Sequence, residues 1–384
     1  MRNVRLPLAG LILAIGLAGP RPSVAQSDVV RTQQEDYRVV TVVEGLEVPW
    51  SMAWLPNGDM LVTERPGRLR IVRGGELDPT PITGTPTVRA RGQGGLLEVA
   101  VHPDFESNQF VYLTYSKPNT DGSEGTTALI RARLDGGSLV DVQEIYEATA
   151  WSTTNGHYGS RLAFDGQGHL FMTVGDRQAP PQEGQEAHPA QDLADAQGSM
   201  LRLNEDGTIP ADNPFVNTPG AAPEIWSYGH RSPQGFAIHP ETGDVWETEH
   251  GPQGGDELNL ILGGSNYGWP VIGYGVNYGP GIPLHQSQER EGMEQPRHFW
   301  VPSIATSGLM IYVGDRFPEW SGDFFAGGLG GEQIARLEMD GQTVVADETI
   351  ISGFRVRDIR QGPDGYIYVA NETDGTIIRL EPAM

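Results

Sequence analysis

The chain contains no cysteine among its 384 residues. Disulfides, thiolate metal sites, iron–sulfur clusters, covalently attached c-type haem and cysteine nucleophiles are therefore all excluded. Basic residues are scarce as well, since 26 Lys and Arg stand against 50 Asp and Glu, giving a net charge of −24. This balance excludes DNA and RNA as partners, because phosphate contacts need concentrated Lys and Arg.

Long apolar runs are also missing, with one exception near the N-terminus. Two arginines precede the apolar stretch Leu6–Gly19, and the small residues Ser23–Ala25 follow it, which is the pattern of an export signal. The alternative, a membrane anchor, needs about 20 apolar residues, and the stretch falls short of that length. We predict a signal peptide over residues 1–25, export to a bacterial periplasm, and no membrane span once the signal is removed.

Glycine, by contrast, is abundant, because its 51 residues are about 13% of the chain, roughly twice the usual share of about 7%. Many of these glycines belong to a unit that recurs six times. In each unit an apolar pair, a turn of Pro, Gly, Asn or Asp, and an alternating strand follow one another. The copies, of which the fifth is the weakest, cover Met52–Glu64, Val99–Thr114, Leu162–Thr173, Phe236–Glu247, Gly322–Ala326 and Gly362–Ala370.

The repeated unit predicts an all-β fold, a six-bladed β-propeller, as a single domain over residues 26–384. Turns such as Pro56–Gly58 and Pro363–Gly365 need residues that accept positive φ, and the flanking alternation suits strands. No long segment keeps the 3.6-residue apolar period, so we expect few helices. A two-sheet sandwich is the alternative, but it does not explain six near-copies of one unit. The long connections around residues 178–222 and 265–305 are typical of functional loops.

Polar residues gather in four segments between the repeats. In a propeller such segments converge on one rim of the central channel, which is the usual place for a ligand. The four segments are Arg91–Leu97, Asn155–Arg161, Gly229–Gly235 and Glu249–Glu257.

His157 is the candidate general base among these residues. It precedes a predicted strand, and the glycines beside it let a ligand approach closely. The strand that begins at Leu170 ends near Asp176, which places the Asp176 carboxylate where it can fix the histidine tautomer. The alternative is a buried histidine with a structural hydrogen bond, and the spacing alone favours that alternative.

The segment Glu249–Tyr267 is a candidate calcium region. Calcium takes oxygen ligands, and this segment offers exposed backbone carbonyls at Gly251 and Pro252 with the carboxylates of Asp256 and Glu257 close by. An acidic surface loop is an equally good interpretation of the composition.

Arg355 and Arg357 lie on one side of a predicted extended segment, because side chains alternate along a strand. Two guanidinium groups on one face suit a ligand with several carboxylates. Taken alone, the pair is more typical of surface ion pairs with Asp358 or Asp364.

Taken together, these segments resemble the soluble PQQ-dependent aldose (glucose) sugar dehydrogenase family, and in particular its shorter bacterial members. The resemblance runs from about residue 40 to about residue 380 in the family's order, with motifs at consistent spacing. The motifs that carry it are Gly92–Leu97, His157 with Gly159–Arg161, Gly229–Gly235, Glu249–Pro252 with Asp256–Leu260, Gly264–Trp269 and Arg355–Asp358.

The resemblance implies a propeller that carries pyrroloquinoline quinone (PQQ) over its channel and oxidises aldoses at C1 to the lactone. His157 matches the base that takes the C1 hydroxyl proton while hydride passes to the quinone C5. Asp176 matches the carboxylate that orients this histidine. Arg231 matches the residue that stabilises negative charge on the reduced quinone, and Gln93 matches a contact to cofactor and substrate.

The resemblance also implies positions that bind the cofactor and calcium. The Gly251 and Pro252 carbonyls match ligands of a calcium ion that polarises the quinone, and Glu257 and Tyr267 match a second, structural calcium. Further positions that match cofactor contacts are Ser232, Tyr278, Gly328, Leu329, Gly330, Arg355 and Arg357.

The chain departs from the family at two of these positions. Ser232 stands where the family often has an asparagine, and Gly330 stands where some members have a lysine near the cofactor. The first change shortens a side chain and the second removes a positive charge, so both bear on cofactor affinity.

Three functions remain to be compared. The first is PQQ- and calcium-dependent oxidation of an aldose, with a separate electron acceptor because the chain cannot carry its own c-type haem. The second is a calcium-dependent propeller lactonase or related hydrolase, which the three arginines disfavour because they suit an anionic cofactor better than a bare metal. The third is a non-catalytic periplasmic protein that binds PQQ or a glycan.

Overall fold

The computed structural model describes residues 29–181, 185–279 and 281–383, so the signal peptide predicted for residues 1–25 lies outside the described residues. The earlier strands are β1 (Val29–Val30), β2 (Tyr37–Val43), β3 (Pro49–Trp54), β4 (Met60–Glu64), β5 (Arg68–Arg73), β6 (Glu76–Leu77), β7 (Leu96–Val101), β8 (Phe110–Pro118), β9 (Gly125–Asp135), β10 (Ser138–Glu147), β11 (Leu162–Phe164), β12 (His169–Val174), β13 (Ser199–Asn204) and β14 (Ile225–Tyr228). The later strands are β15 (Pro233–Ile238), β16 (Val245–Glu249), β17 (Asp256–Ile261), β18 (His298–Trp300), β19 (Thr306–Ile311), β20 (Phe324–Gly328), β21 (Gln333–Asp340), β22 (Thr343–Ser352), β23 (Val356–Gln361), β24 (Ile367–Asn371) and β25 (Thr376–Pro382).

These strands form six antiparallel sheets, which are the blades of a propeller. The first five blades are β3–β6, β7–β10, β11–β14, β15–β18 and β19–β22, each with its four strands in sequential order. The sixth blade has the order β1-β2-β25-β24-β23. The first strands of successive blades contact one another around a common axis. The predicted all-β six-bladed β-propeller is therefore confirmed.

The ring of blades closes between the two ends of the described chain. Strand β2 pairs antiparallel with β25, with Val39 opposite Leu380. Because one sheet contains strands from both ends, the ring opens only if the hydrogen bonds of that sheet break.

Helices are few among the described residues, as the sequence predicts. The α-helix α1 spans Phe105–Asn108, and 3-10 turns span Gln185–Ala187, Pro189–Gln191 and Pro318–Trp320. None of the helices in the described ranges is long and apolar enough to cross a membrane.

The sequence repeat corresponds to the inner part of each blade. The first four copies form the hairpin between the first and second strands, and the last two copies supply the second strand with the residues before it. Gly58 and Gly365 have φ angles of 88° and 82°, the positive values that the predicted turns require.

The apolar core is divided among the interfaces between blades. The six largest clusters of buried side chains in the described ranges lie one at each of the six interfaces. The cluster between the first two blades, for example, joins Leu61 and Leu69 to Leu96 and Leu113. Each sheet is therefore buried on both faces by its neighbours.

Charged residues, rather than apolar ones, meet at the propeller axis. Arg161 Nη1 lies 2.9 Å from Glu98 Oε2 and 2.8 Å from Asp358 Oδ1. Arg360 bonds the same two carboxylates at 2.6 and 3.0 Å. Arg161 also donates from Nε to the Gln234 carbonyl at 2.6 Å. Two guanidinium groups thus balance two carboxylates and join strands from different blades.

We predict that Arg161→Met lowers the free energy of unfolding by about 3 to 5 kcal/mol, because it leaves buried carboxylates short of a partner. Arg133→Met is the control, since the Arg133–Asp141 pair is solvent-exposed, with side chains 43% and 64% accessible. This control should lose less than about 1 kcal/mol. Urea unfolding measures both variants, and equal losses would contradict a special role for the axial network.

Candidate active site

The predicted site residues lie at one rim of the propeller. The first strand of a blade is the one nearest the axis, and the second strand is its antiparallel neighbour. The segment before the first strand and the segment after the second strand therefore lie at the same end of the blade. The residues that enter a first strand are Gln93, His157, Arg231, Ser232 and Arg355. Those that follow a second strand are Asp176, Gly251, Pro252, Leu329 and Gly330.

His157 and Asp176 form a buried, hydrogen-bonded pair at this rim. His157 Nδ1 lies 2.6 Å from Asp176 Oδ1, and the two side chains are 8% and 1% exposed. The Gln178 backbone N–H also donates to Oδ1, at 2.9 Å. The Trp269 indole N–H donates to Oδ2 at 2.8 Å. The structure therefore brings the candidate base together with the carboxylate that the sequence placed beside it.

The surroundings keep this pair in a state suited to accepting a proton. Burial lowers the pKa of His157 and outweighs the Asp176 carboxylate, which raises it. Burial raises the pKa of Asp176, but the charge and hydrogen bond of His157 outweigh it, so the net pKa is lowered. An ionised Asp176 can only accept hydrogen bonds, so the imidazole proton resides on Nδ1 and Nε2 keeps its lone pair. Nε2 has no hydrogen-bond partner within the described ranges.

Glycines around the pair allow the backbone to pass close to it. A Cβ atom on Gly175 would collide with the His157 carbonyl oxygen, and one on Gly156 would lie 2.7 Å from the Gln178 side chain. His157 itself has a φ of 51°, and its backbone N–H donates to Gln93 Oε1 at 2.7 Å. Gln93 therefore holds the histidine in a backbone conformation that L-residues rarely adopt.

Arg231 lies against the same pair from the neighbouring blade. Its guanidinium donates to the Gly251 carbonyl at 2.8 Å and to the His250 carbonyl at 3.1 Å. Arg231 Nε and Ser232 Oγ are buried and have no hydrogen-bond partner among the residues that the structure describes. Such atoms are suited to hydrogen bonds with a ligand.

Arg355 and Arg357 share the carboxylate of Glu372. Arg355 Nε is 3.1 Å from Oε1, and Arg357 Nε is 2.8 Å from Oε2. Burial raises the pKa of Glu372, but the two arginines outweigh it and lower the pKa to about 2. The partner is neither Asp358 nor Asp364, the two candidates from the sequence. One negative charge between two positive charges leaves this part of the rim with a net positive charge.

The other residues predicted to contact the cofactor lie near these arginines. Arg355 donates to the Leu329 carbonyl at 3.0 Å, next to Gly328 and Gly330. The Tyr278 hydroxyl is 3.5 Å from Arg231 Nη2, and Tyr278 is 65% exposed. All the predicted cofactor contacts therefore belong to one face of the propeller.

A cleft of about 210 Å³ opens beside the His157–Asp176 pair. The long connection between β17 and β18 forms one wall of it, so the functional loop predicted around residues 265–305 does reach the site. The lining residues are His157, Asp176, Gln178, Ala179, Pro181, Arg231, Pro252, Trp269, Asn277, Tyr278 and Leu284.

A second, much smaller cavity of about 20 Å³ adjoins the cleft through Arg231, Pro252 and Trp269. All four residues predicted to bind calcium line this cavity, namely Gly251, Pro252, Glu257 and Tyr267. The structure therefore brings the predicted calcium residues to one place.

Buried carboxylates stand beside the second cavity. Ligand atoms of His230, Glu247 and Glu249 all lie within 4.8 Å of one another. Burial raises the pKa of Glu247 to about 7 and the pKa of Glu257 well above its usual value. Burial lowers the pKa of His230, but hydrogen bonds to Glu247 and Glu249 outweigh it and raise the pKa to about 9.

Several residues of the site carry no role in the sequence analysis, notably Trp269, Glu372 and His230. Trp269 is the last residue of the Gly264–Trp269 motif, so the sequence marked this position but indicated no function for it. Glu372 comes directly after a second strand, at the same end of its blade as Asp176, and that placement is the signal for it.

The fold and the site define a member of the glucose/sorbosone dehydrogenase family. The model of that family matches residues 46–379, and the chain belongs to the family. This confirms the resemblance seen in the sequence, and the class is that of oxidoreductases of the aldose sugar dehydrogenase type.

Individual relatives agree with this assignment. The chain is 47% identical to the protein slr1608 of Synechocystis, over 98% of this chain and 94% of that protein. It is 39% identical to the soluble aldose sugar dehydrogenase of Escherichia coli in its apo form, with a TM-score of 0.84 over 90% of this chain and 100% of that one. The PQQ-bound aldose sugar dehydrogenase of Streptomyces coelicolor is 27% identical, with a TM-score of 0.73 over 90% and 98% of the two chains.

The lowered pKa of Glu372 gives a prediction about pH. Its pKa is about 2 in the fold against a usual 4.5, so its ionised form contributes stability above about pH 4.5 that is lost as the pH falls toward 2. The difference in unfolding free energy between the wild type and Glu372→Gln should therefore be constant near neutrality and shrink below about pH 4.5. Urea unfolding at a series of pH values measures it, and a difference independent of pH would contradict the assignment.

Proposed function

We propose that this protein oxidises aldose sugars at the C1 hydroxyl to the lactone, with PQQ as its oxidant and calcium as the metal beside it. The observation that carries the proposal is the His157–Asp176 pair at the cleft beside Arg231. A neutral imidazole next to a guanidinium suits removal of a hydroxyl proton while negative charge develops nearby. The PQQ-bound relative from Streptomyces coelicolor supports the choice of cofactor.

The rim fits an anionic quinone. PQQ is a tricarboxylate, and Arg231, Arg355 and Arg357 supply positive charge on the same face. Burial, followed by nearby positive charges that include Arg231 and Arg357, lowers the pKa of His250 to about 3, which supports a common location for these two guanidinium groups. We assign to the cofactor Gln93, Arg231, Ser232, Tyr278, Gly328, Leu329, Gly330, Arg355 and Arg357.

The second cavity fits a hard cation. The Gly251 carbonyl lies at this cavity and accepts one hydrogen bond, from Arg231, so its second lone pair is left for a cation. Glu247 Oε2 and Asn259 Oδ1 are buried nearby and have no hydrogen-bond partner in the described part of the chain. We assign the Gly251 and Pro252 carbonyls to the calcium beside the cofactor, and Glu257 and Tyr267 to a second, structural calcium.

The side chains of the cleft divide the chemistry among them. His157 Nε2 takes the proton of the sugar C1 hydroxyl, because Asp176 keeps the other imidazole proton on Nδ1 and stabilises the imidazolium that forms. Arg231 stabilises negative charge at the edge of the cleft. When bound, PQQ supplies the acceptor for the hydride that leaves C1.

The electrons then pass to a separate acceptor, because a chain without cysteine cannot carry its own c-type haem. We place the reaction in the periplasm on the basis of the export signal predicted from the N-terminal sequence.

Reconstitution tests this function directly. The purified protein should reduce an artificial dye with glucose or another aldose only after both PQQ and Ca²⁺ are added, and a chelator should abolish the activity. Sugar should also bleach or shift the absorption of the reconstituted cofactor. Absence of turnover across a panel of aldoses would refute the proposal. PQQ binding without reduction would indicate a binding protein, and lactone hydrolysis without PQQ would indicate a hydrolase.

The role of His157 is tested by His157→Asn, because asparagine tolerates the φ of 51° at this position. We expect kcat to fall about 100- to 10,000-fold, the usual contribution of a general base, while PQQ still binds. His298→Asn, at a surface pair with Asp347 on the outer strand of the blade, is the control and should keep full activity. Loss of PQQ binding in His157→Asn, with turnover of the remaining holoenzyme intact, would contradict the assignment.

A further inference from the structure

Trp269 lies in the cleft wall and contacts both Asp176 of the His157–Asp176 pair and Arg231. It is 6% exposed. Its backbone N–H donates to the Gly229 carbonyl at 2.8 Å, and its carbonyl accepts from Gln191 Nε2 at 2.8 Å. The main chain of Trp269 is therefore fixed to the connection that also carries Arg231.

The indole N–H completes the hydrogen bonds of the Asp176 carboxylate. Oδ1 accepts from His157 and from the Gln178 backbone N–H, whereas Oδ2 accepts from Trp269 alone among the side chains of the described ranges. His188 Nε2 lies 3.9 Å from Oδ2, beyond hydrogen-bond distance. With a donor on each oxygen, the carboxylate cannot rotate about its C–C bond without losing a hydrogen bond, so Oδ1 stays directed at the imidazole.

The face of the same indole ring holds the arginine. Arg231 Cζ lies 5.1 Å from the ring centroid, within the range of a cation–π contact. The edge of the ring therefore orients the partner of the base, and its face orients the guanidinium. A change in the position of this one ring moves both groups.

We propose that Trp269 is a positioning residue for the sugar oxidation, acting through Asp176 on the direction of the His157 imidazole. The inference rests on the proposed function for its kinetic consequence, but its structural consequence concerns the protein without cofactor. Trp269 touches neither the sugar nor the reacting atoms in this role.

The variant Trp269→Phe removes the indole N–H and keeps an aromatic ring beside Arg231. In the protein loaded with PQQ and calcium, we expect kcat to fall about tenfold to a hundredfold, as for loss of a hydrogen bond to a charged group. The KM for the sugar should stay within about twofold, because the cleft keeps its shape. A purely structural role would not separate kcat from KM in this way.

A second measurement needs no cofactor. The Nδ1 proton of His157 lies in a short hydrogen bond to a carboxylate and should give a strongly downfield proton NMR resonance. We expect this resonance to shift upfield or broaden in Trp269→Phe. If the proposed sugar oxidation fails, the wild type shows no turnover, and this resonance alone decides the role of Trp269.

Trp246→Phe is the matched control, since Trp246 is a tryptophan of the same blade, 1% exposed, whose indole nitrogen has no hydrogen-bond partner in the described ranges. It should keep both kcat and the resonance. The double variant Trp269→Phe/Asp176→Asn should lose no more activity than Asp176→Asn alone, because Trp269 acts through Asp176. Three results would overturn the proposal. They are an unchanged kcat and resonance in Trp269→Phe, additive losses of activity in the double variant, and an equal loss in Trp246→Phe.

Discussion

Arg161 lies on the propeller axis with its side chain 1% exposed, between the carboxylates of Glu98 and Asp358. Its Nε donates to the Gln234 carbonyl, and Ser51 donates to Glu98. These four residues lie in the first strands of four different blades, and Arg161 directly precedes the first strand of a fifth blade. Because an unpaired buried charge is costly, the guanidinium holds these strands at fixed separations. The centre of the ring is thus set by hydrogen bonds with defined directions rather than by apolar packing.

The candidate active-site residues are attached to this fixed centre by very short lengths of chain. His157 lies four residues before Arg161, and Arg231 lies three residues before Gln234. A rigid axis therefore limits how far the candidate base and the arginine can move relative to each other. The glycines at the rim serve the same end, because a Cβ on Gly175 would push the His157 backbone away. Rigid placement of this kind is what proton transfer at a defined atom requires.

The negative net charge of the molecule is unfavourable for binding the anionic cofactor that we propose. The chain carries a net charge of −24, yet the rim presents Arg231, Arg355 and Arg357. Glu372 makes this local positive charge possible, because its carboxylate holds the guanidinium groups of Arg355 and Arg357 together against their mutual repulsion. Burial lowers the pKa of Arg357, a sign that its charge is poorly solvated and would gain from a ligand carboxylate. Local geometry thus gathers positive charge at one rim of an acidic protein, as the proposed anionic cofactor requires.

The sequence by itself determined the blades, because turns at Gly58 and Gly365 and the alternation beside them are encoded by adjacent residues. It also placed His157 near Asp176, since both flank strands of one blade, and it predicted a shared face for Arg355 and Arg357. Only the tertiary structure decided which side chains complete these groups. Trp269 reaches Asp176 across 93 residues, and Arg161 reaches Asp358 across 197. Such contacts depend on which blades become neighbours when the ring closes. No local pattern of residues encodes a contact between positions so far apart in the sequence.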